Sequence, residues 1–590
     1  MAILFGTNRQ FNLERLPFSV AGAFLSIYQD VEDKNLYFTI CRSEGGMMER
    51  PKLLKLTFLA DGEELPFIYE CDAAKLTVTT KKGTAEFTYE EEDIMRVRVT
   101  GITLRVFFDT QMHEGGVERA PGEVEMAFNL LGKLLFKQLS GKMENNARWN
   151  FREVCPFPFS VELSPGGGTS GECAIHEYYT NVVSKKSYAP FDEAYAAMFA
   201  RFVKFTGNYA PVAIQYRDMA ERAMWVVWQS RLGPRGGHGG LKDTAVYMHK
   251  LFLDRAFGWQ QCFHAIASAN NAKEAWRLLL SFFHYQDAAG GIPDNISDLN
   301  QYVWISTKPP LYGFACCFVL DHFDTSTLTR EDYAALYEKL TRFTAWWFTH
   351  HDHAKTGIPA YYHVDESGYD ESALFDGGLP LQAPDLQAYV VMLCEACSRL
   401  AALLDDRAGA DRWAGESKRV LDFLVNDLWD GSKFRAKLPA TGKYYSCNSL
   451  ALLQPVMLGS RLPKEILRVI AERVADPEEF LTDFGMATEN LKSPEFMMRS
   501  FTRGPVIAPA QMLILLGLYE GGEKETARTV AARYLNALLA EGLALAVHPY
   551  RVEPVTGDQI VEFRGGMSVT FPFTAWAASI FLALAGYIMR

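Results

Sequence analysis

The chain has 590 residues, of which 48% are hydrophobic and 22% are charged, and these values are typical of a globular protein. A chain of this length is too long for one ordinary core, so we expect two domains or one large repetitive domain. Its net charge of -12 argues against nucleic acid or an anionic membrane as the partner, and it is compatible with a neutral or cationic small molecule.

The N-terminal segment "MAILFGTNRQFNLERL" has a short apolar run without a basic start or a small-residue cleavage site, so no signal peptide is expected. No window approaches 18 uninterrupted apolar residues, and no transmembrane helix is predicted. The ten cysteines are scattered, several of them in apolar helical runs, which is typical of buried free thiols in a reducing compartment. We therefore predict a cytoplasmic protein.

Residues 1–185 are predicted to form an antiparallel β-sandwich domain. Short runs such as "KLTVTT" and "TLRVFFDT" are rich in β-branched and aromatic residues that alternate with polar ones, and turns separate the runs. Residues 186–209 are helical and polar, as expected of a linker helix. From residue 210 to residue 590 the hydrophobic period changes to 3.6, which predicts a helical domain.

Connections of alternately short and long length join the predicted helices of this second domain. Short connections join the helices within a pair, and long ones lead from one pair to the next. This pattern predicts an (α/α)6 barrel with every long loop at the same end, where function usually lies. A helical-repeat solenoid is the competing fold, but no fixed-period sequence repeat is present. The predicted helices are 210–230, 257–269, 273–286, 308–322, 329–350, 382–404, 408–427, 447–458, 463–474, 505–520, 523–541 and 571–588.

The long loops combine aromatic residues with carboxylates and amides, which is the composition of a sugar-binding site. Glycoside hydrolysis needs a protonated carboxyl group at the leaving oxygen and an ionised one that activates water. Asp370 suits the first role, because partial burial beside Tyr369 raises the pKa of a carboxyl group. The neighbouring Asp365, Glu366 and Glu371 would also oppose its ionisation. The loops and their borders supply Trp259, Gln260, Asp294, Asn295, Tyr302, Trp304, residues 361–370, Asp483, Arg503 and residues 548–562.

Several stretches of the helical half resemble, in order, motifs of the inverting α-glycosidases of glycoside hydrolase family 63 and their relatives, the mannosylglycerate hydrolases and more distantly the trehalases. "AFGWQQCFHAIA" is similar to the Trp-Asp opening of a barrel helix, and "STKPPLYGFA" to the Gln-Pro-Pro helix start. "DESGYDES" is similar to Glu-Ser-Gly-Trp-Asp-x-Ser, and "FTRGPV" to Trp-Arg-Gly-Pro-Val. The resemblance implies that Asp370 is the general acid and that Trp259, Asp294 and Arg503 line the sugar subsite.

The chain departs from these motifs at several positions. Gln260 replaces the Asp of the Trp-Asp motif, so an amide that both donates and accepts stands where the family has a charged acceptor. Tyr369 and Thr502 each replace a motif Trp. We expect Trp259, Gln260, Trp304 and Tyr369 to shape the subsite.

The catalytic base has three candidates in "VHPYRVEPVTGDQIVEF". The family places a Glu shortly before a Tyr and a Pro-x-Thr-Gly motif. Alignment on the Tyr puts His548 at this position, alignment on Pro554 leaves Glu553 next to it, and Glu562 follows on the same loop. A neutral histidine can accept a proton from water, but a carboxylate is chemically preferred, so the order is Glu553, Glu562, His548.

These patterns together predict a β-sandwich followed by an (α/α)6 barrel that hydrolyses an α-glycosidic bond, gluco- or manno-configured, with inversion. The expected partner is a small oligosaccharide or glycoside, and neither a metal nor an organic cofactor is required. The cluster His350, His351 and His353 lacks the spacing of a zinc site. The alternatives are a sugar epimerase or isomerase on the same barrel, or a carbohydrate-binding protein that has lost its base.

Overall fold

The computed structural model describes residues 12–42, 51–151, 157–182, 185–235, 239–251, 253–299, 301–498, 500–550 and 573–590. The chain forms two compact units. The first comprises Met1–Thr206, Trp225–Arg255 and Ser297–Gln301, and the second comprises Gly207–Met224, Ala256–Ile296 and Tyr302–Arg590. The predicted domain boundaries at residues 185 and 209 stay predictions.

The first unit is built from antiparallel strands, which confirms the predicted β-rich character of the N-terminal half. The strands are β1 Leu25–Gln29, β2 Leu36–Ile40, β3 Leu54–Ala60, β4 Glu63–Glu64, β5 Phe67–Cys71, β6 Lys75–Thr80, β7 Thr84–Glu91, β8 Ile94–Thr100, β9 Thr103–Asp109, β10 Glu114–Ala120, β11 Glu123–Phe128, β12 Gly132–Ser140, β13 Lys142–Asn145, β14 Trp149–Asn150, β15 Pro158–Ser164, β16 Ser170–Tyr178, β17 Arg231–Leu232 and β18 Ala245–Val246.

Two large sheets hold most of these strands. One has the order β1-β2-β3-β9-β15-β13 with β4 paired to β3, and the other has the order β14-β10-β11-β12-β16-β8-β7-β6-β5. Aromatic rings join the two sheets: Phe38 lies 6.1 Å from Phe87, and Phe108 lies 5.2 Å from Phe128 between ring centroids. The two inner faces therefore pack together, as the alternating pattern predicts. The helix α1, Phe191–Thr206, packs against β7.

The second unit is mainly helical, with short two-residue strands in its connections. The helix α2, Arg217–Gln229, begins in this unit, and its residues 225–229 belong to the first unit. The other helices of the second unit are α3 Gly258–Ala267, α4 Ala272–Ser281, α5 Tyr312–His322, α6 Arg330–His350, α7 Pro384–Leu403, α8 Arg407–Phe423, α9 Lys464–Val474, α10 Ala508–Gly521, α11 Lys524–Glu541 and α12 Ala575–Ala583. The short strands are β19 Ala256–Phe257, β20 Asn295–Ile296, β21 Tyr302–Val303, β22 Ala436–Lys437, β23 Tyr444–Tyr445, β24 Leu481–Thr482, β25 Gly485–Met486, β26 Val506–Ile507 and β27 Ala546–Val547.

Six helical segments of this unit contact one another in a closed series. The order is α3, α5, α7, the 3-10 helix Gln454–Arg461, α10 and α12, and α12 in turn contacts α3. Every residue of α3 and α12 is buried. The helix α12 is apolar on nearly every side, as expected of a helix inside a core, whereas α3 also buries the polar side chains Gln260, Gln261 and His264. By contrast, α6 buries Leu336, Leu340, Phe343, Thr344 and Trp347, a stripe with helical spacing.

The helix α7 has the length and composition of a membrane span, the one described helix for which this is so. Most of it is buried inside the protein, as expected of a core helix in this closed series.

The stretch 447–458, predicted as one helix, has a different conformation in the structure. Two 3-10 helices, Leu450–Leu452 and Gln454–Arg461, occupy it. Pro455 has no backbone N–H group and its ring excludes the carbonyl group four residues earlier, so an α-helix cannot continue through it. Gly459, with φ 56°, adds a non-helical kink. The apolar pattern correctly predicts burial here, but the predicted α-helix is wrong.

Candidate active site

The loop between α6 and α7 carries the cluster of acids that the sequence singles out. Glu366 holds this loop in shape: its Oε1 accepts from His351 Nε2 at 2.8 Å, and its Oε2 accepts the N–H groups of Tyr362 at 2.9 Å and His363 at 3.2 Å. A carboxylate with three donors stays in place at the turn Val364–Glu366. This acid therefore serves the structure of the loop, in contrast to the role against Asp370 that the sequence suggested.

Gly368 allows the loop to pack closely against the indole ring of Trp259. Its φ of +73° lies in the left-handed region, and a methyl group added to it would lie 2.4 Å from Cη2 of Trp259, so no other residue fits without movement. Trp259 is held in turn by Trp576, at 4.8 Å between ring centroids. The next residue, Tyr369, is buried and donates from its hydroxyl group to Gln454 Oε1 at 2.8 Å. Both residues that precede Asp370 in this turn are thus fixed.

Asp370 occupies a setting that favours the protonated form of its carboxyl group. Its side chain is half-buried, and its Oδ1 is buried and accepts no hydrogen bond from any described residue. Burial raises the pKa of Asp370 to about 6, Lys308 opposes this rise, and Asp365, Asp294 and Glu371 add to it. The carboxyl group can therefore hold a proton close to neutral pH and release it to a leaving group.

Lys308 is a component of the site that the sequence patterns did not predict. Its Nζ lies 3.0 Å from Asp294 Oδ2 and 4.0 Å from Asp365 Oδ2, and its side chain is 9% exposed. Burial lowers the pKa of Lys308, but Asp294, Asp370 and Asp365 outweigh it and raise the pKa above its ordinary value. A signal was available, since Lys308 stands in "STKPPLYGFA" where the similar motif has Gln.

Asp294 links this lysine to the second strand of a small sheet. Its Oδ2 also accepts from Ser306 Oγ at 3.3 Å, and its Oδ1 accepts from Asn295 Nδ2 at 2.7 Å. The strand β20 pairs with both β19 and β21, so the entrance to α3 and the segment before α5 come together. Residues that are distant in sequence thereby lie near Asp370.

Arg503 joins the loop after β25 to the loop of Asp370. Its Nε donates to the backbone carbonyl group of Glu371, and its guanidinium group forms an ion pair with Asp376. The N–H group of Glu371 donates to Thr502 Oγ1 at 2.9 Å, and Glu371 Oε2 accepts from Ser500 Oγ at 2.7 Å. The contacts of Arg503 position the loop, and its role toward a sugar stays a prediction.

The remaining predicted residues lie at varying depth. Gln260 is buried on α3 at 2% exposure, whereas Trp304, after β21, is 46% exposed. His548 is buried directly after β27, and its Nδ1 accepts the N–H group of Tyr550 at 3.3 Å. Glu553 and Glu562 lie outside the described residues, so the choice among the three candidate bases stays a prediction.

A sequence model of the family described as "Mannosylglycerate hydrolase MGH1-like glycoside hydrolase domain" matches residues 254–559, just over half of the chain. This match includes Asp370, Lys308, Asp294, Trp259 and Arg503. A comparison with curated protein sequences gives no match.

Solved structures share the fold of part of the chain. The GH63 mannosylglycerate hydrolase from Thermus thermophilus in complex with Tris is 17% identical, with a TM-score of 0.51, and the match covers 62% of this chain and 99% of that one. The same enzyme in complex with Tris and D-glycerate gives the same values. An uncharacterized conserved protein from Thermus thermophilus also matches, with 17% identity, a TM-score of 0.50 and the same coverage. At this identity the likeness establishes the fold alone.

Proposed function

Because the chain belongs to the family of mannosylglycerate hydrolase MGH1-like glycoside hydrolase domains, we propose that it cleaves an α-glycosidic bond in a small oligosaccharide or glycoside, with inversion at the anomeric carbon. The sugar would be gluco- or manno-configured. The observation that carries this proposal is the setting of Asp370, whose buried carboxyl oxygen has no hydrogen-bond partner among the described residues and whose surroundings favour its protonated form.

In the proposed reaction Asp370 gives its proton to the glycosidic oxygen as the bond from that oxygen to the anomeric carbon breaks. A base from residues 548–562 removes a proton from water, which attacks the opposite face of the sugar. In inverting enzymes the two groups lie roughly 6.5–9.5 Å apart, which leaves room for that water. Since Asp370 must be protonated, we expect activity to fall as the pH rises above its pKa of about 6.

The walls of the proposed sugar subsite combine one indole ring with fixed polar groups. Trp259 would stack on the apolar face of the sugar, and the carboxylate of Asp294 would accept hydrogen bonds from hydroxyl groups. Arg503, Tyr369 and Gln260 would complete the lining. Trp304 is more exposed, and it would contact the leaving group outside the subsite.

The closed series of six helices supports an (α/α)6 barrel over residues 210–590. Residues 1–185 would form the sandwich domain before it, and residues 186–209 would form the linker helix. We place the enzyme in the cytoplasm, as the sequence suggests. The solved relatives include a mannosylglycerate hydrolase in complex with D-glycerate, so a sugar linked to a small polar acid is the first substrate to test.

The stereochemistry of the product tests the proposal. Proton NMR of α-mannosylglycerate and of α-linked glucose and mannose disaccharides, followed from mixing, should detect the β-anomer of the free sugar before mutarotation. Initial release of the α-anomer would contradict inversion. Ring isomerisation would favour an epimerase or isomerase, and the absence of turnover with binding would favour a protein without its base.

Variants of the three candidate bases separate the alternatives in residues 548–562. We expect Glu553→Gln to lower kcat by about a hundredfold or more, since a base contributes on that scale. Glu562→Gln and His548→Gln should then retain most of the activity. Loss of activity in one of these two, with Glu553→Gln active, would move the assignment to that residue.

A further inference from the structure

Lys308 is a buried cation between carboxylates that come from two separate segments of the second unit. We propose that Lys308 is a positioning residue of the active site, which holds Asp294 and Asp365 in place and balances the negative charge that faces Asp370. This inference rests on the proposed function, because the reaction gives Asp370 its role. It concerns a side chain that this chain has in place of the Gln of the similar motif.

The contacts favour a specific arrangement over a general surface ion pair. The Nζ atom of Lys308 lies 3.0 Å from Asp294 and 4.0 Å from Asp365, with only 9% of the side chain exposed. Asp294 stands before β20 and Asp365 stands in the loop after α6, so one ammonium group bridges two loops of the site. A buried pair is costly to break, because removal of one partner leaves an uncompensated charge.

The charged groups that act on Asp370 come from three segments of the second unit. Lys308 comes from the segment before α5, Asp294 from the segment before β20, and Asp365 and Glu371 from its own loop. Two of the groups on that loop have further partners. The imidazole of His363 lies 3.9 Å from Asp365, and Ser500 and the backbone of Phe501 donate to the carboxylate of Glu371.

Lys308 is the cation with the largest effect on the pKa of Asp370, so its removal has a defined consequence. Without the ammonium group, Asp370 would face the charges of Asp294, Asp365 and Glu371 without their main compensation. An opposite charge within a few ångströms typically changes the pKa of a carboxyl group by about one to three pH units. Asp370 would then keep its proton to higher pH, and Asp294 and Asp365 would lose the ammonium group that holds them in place.

The test is the pH profile of kcat/KM for the full-length protein and for Lys308→Met, Lys308→Gln and Lys308→Arg. We expect Lys308→Met and Lys308→Gln to move the alkaline limb upward by about one pH unit or more and to raise KM. Lys308→Arg, which keeps the charge, should leave the limb close to its wild-type position. Lys250→Met is the matched control, since Lys250 is also buried but donates to Ser19, Val20 and Ala23 of the first unit.

A second readout does not depend on activity. The difference in unfolding midpoint between the protein and its Asp370→Asn variant, measured from pH 4 to pH 8, levels off at the pKa of Asp370 in the folded protein. This inflection should move upward in the Lys308→Gln background. An unmoved inflection and an unmoved alkaline limb in a folded variant would overturn the proposal. If no α-glycoside is hydrolysed but the inflection moves, the proposed function fails while the placement of Lys308 stands. Lys308→Gln serves if Lys308→Met does not fold.

Discussion

Replacement of Asp370 by Asn should abolish activity and at the same time stabilise the protein. The carboxyl group ionises at a pKa of about 6 in the folded state against 3.8 in its ordinary state. Between these values the unfolded chain has lost a proton that the folded chain keeps, so the stability of the wild type falls as the pH rises through this window. Above pH 6 the cost of ionising Asp370 is complete.

The size of this effect follows from the same two values. A change from 3.8 to about 6 corresponds to about 3 kcal/mol. Because the side chain is half-buried and retains some water, we reduce the expectation to about 1–3 kcal/mol. Asp370→Asn, which cannot ionise, should be more stable than the wild type by this amount above pH 6 and equally stable near pH 4.

Urea unfolding at pH 4, 5, 6, 7 and 8 measures the difference, and hydrolysis of the preferred α-glycoside measures the loss of activity, expected to be about a hundredfold or more. Asp422→Asn is the matched control, because Asp422 lies on the surface of α8 with its side chain 52% exposed. It should change neither quantity. A variant Asp370→Asn that is less stable than the wild type at pH 7, or that stays active, would refute this reasoning.

Two further predictions concern one glycine of the site and one buried lysine elsewhere. Gly368→Ala should lower both stability and kcat/KM, because the added methyl group would clash with Trp259. Gly378→Ala, which has φ +94° but open space around it, should cost about 1–3 kcal/mol from backbone strain alone and leave kcat/KM unchanged. Equal losses in urea unfolding and activity would contradict the contact with Trp259. Burial lowers the pKa of Lys250 to about 7, so the unfolded chain binds more protons than the folded one above pH 7 and stability should rise by about 2 kcal/mol from pH 7 to pH 9. Lys250→Met should lack this rise in urea unfolding, and its persistence would exclude Lys250 as the cause.

The helices of the second unit could be predicted from the sequence because their period is strong. Some helices, such as α6, bury one apolar stripe, and others, such as α12, are apolar on nearly every side, and both patterns are visible in a single sequence. The exception at 447–458 has a local cause, Pro455. A proline interrupts an α-helix whatever the hydrophobic period of the segment, so this residue could have been recognised from the sequence.

The position of Asp370 could be predicted because Gly368, Tyr369 and Asp370 form one short motif with a recognisable setting. The partners of the acids could not be predicted, since they come from other loops. Glu366 accepts a hydrogen bond from His351, and Glu371 accepts one from Ser500. No local sequence pattern indicates which loop supplies such a donor. The same holds for Lys308, whose effect on Asp370 depends on how two distant segments meet.

In the proposed reaction Asp370 supplies the proton to the leaving group. A glycosyl fluoride needs no such proton, so the Asp370→Asn variant should hydrolyse the α-glycosyl fluoride of the preferred sugar at close to the wild-type rate while it fails on the oxygen-linked substrate. Equal loss on both substrates, or activity on both, would contradict the assignment of Asp370 as the acid.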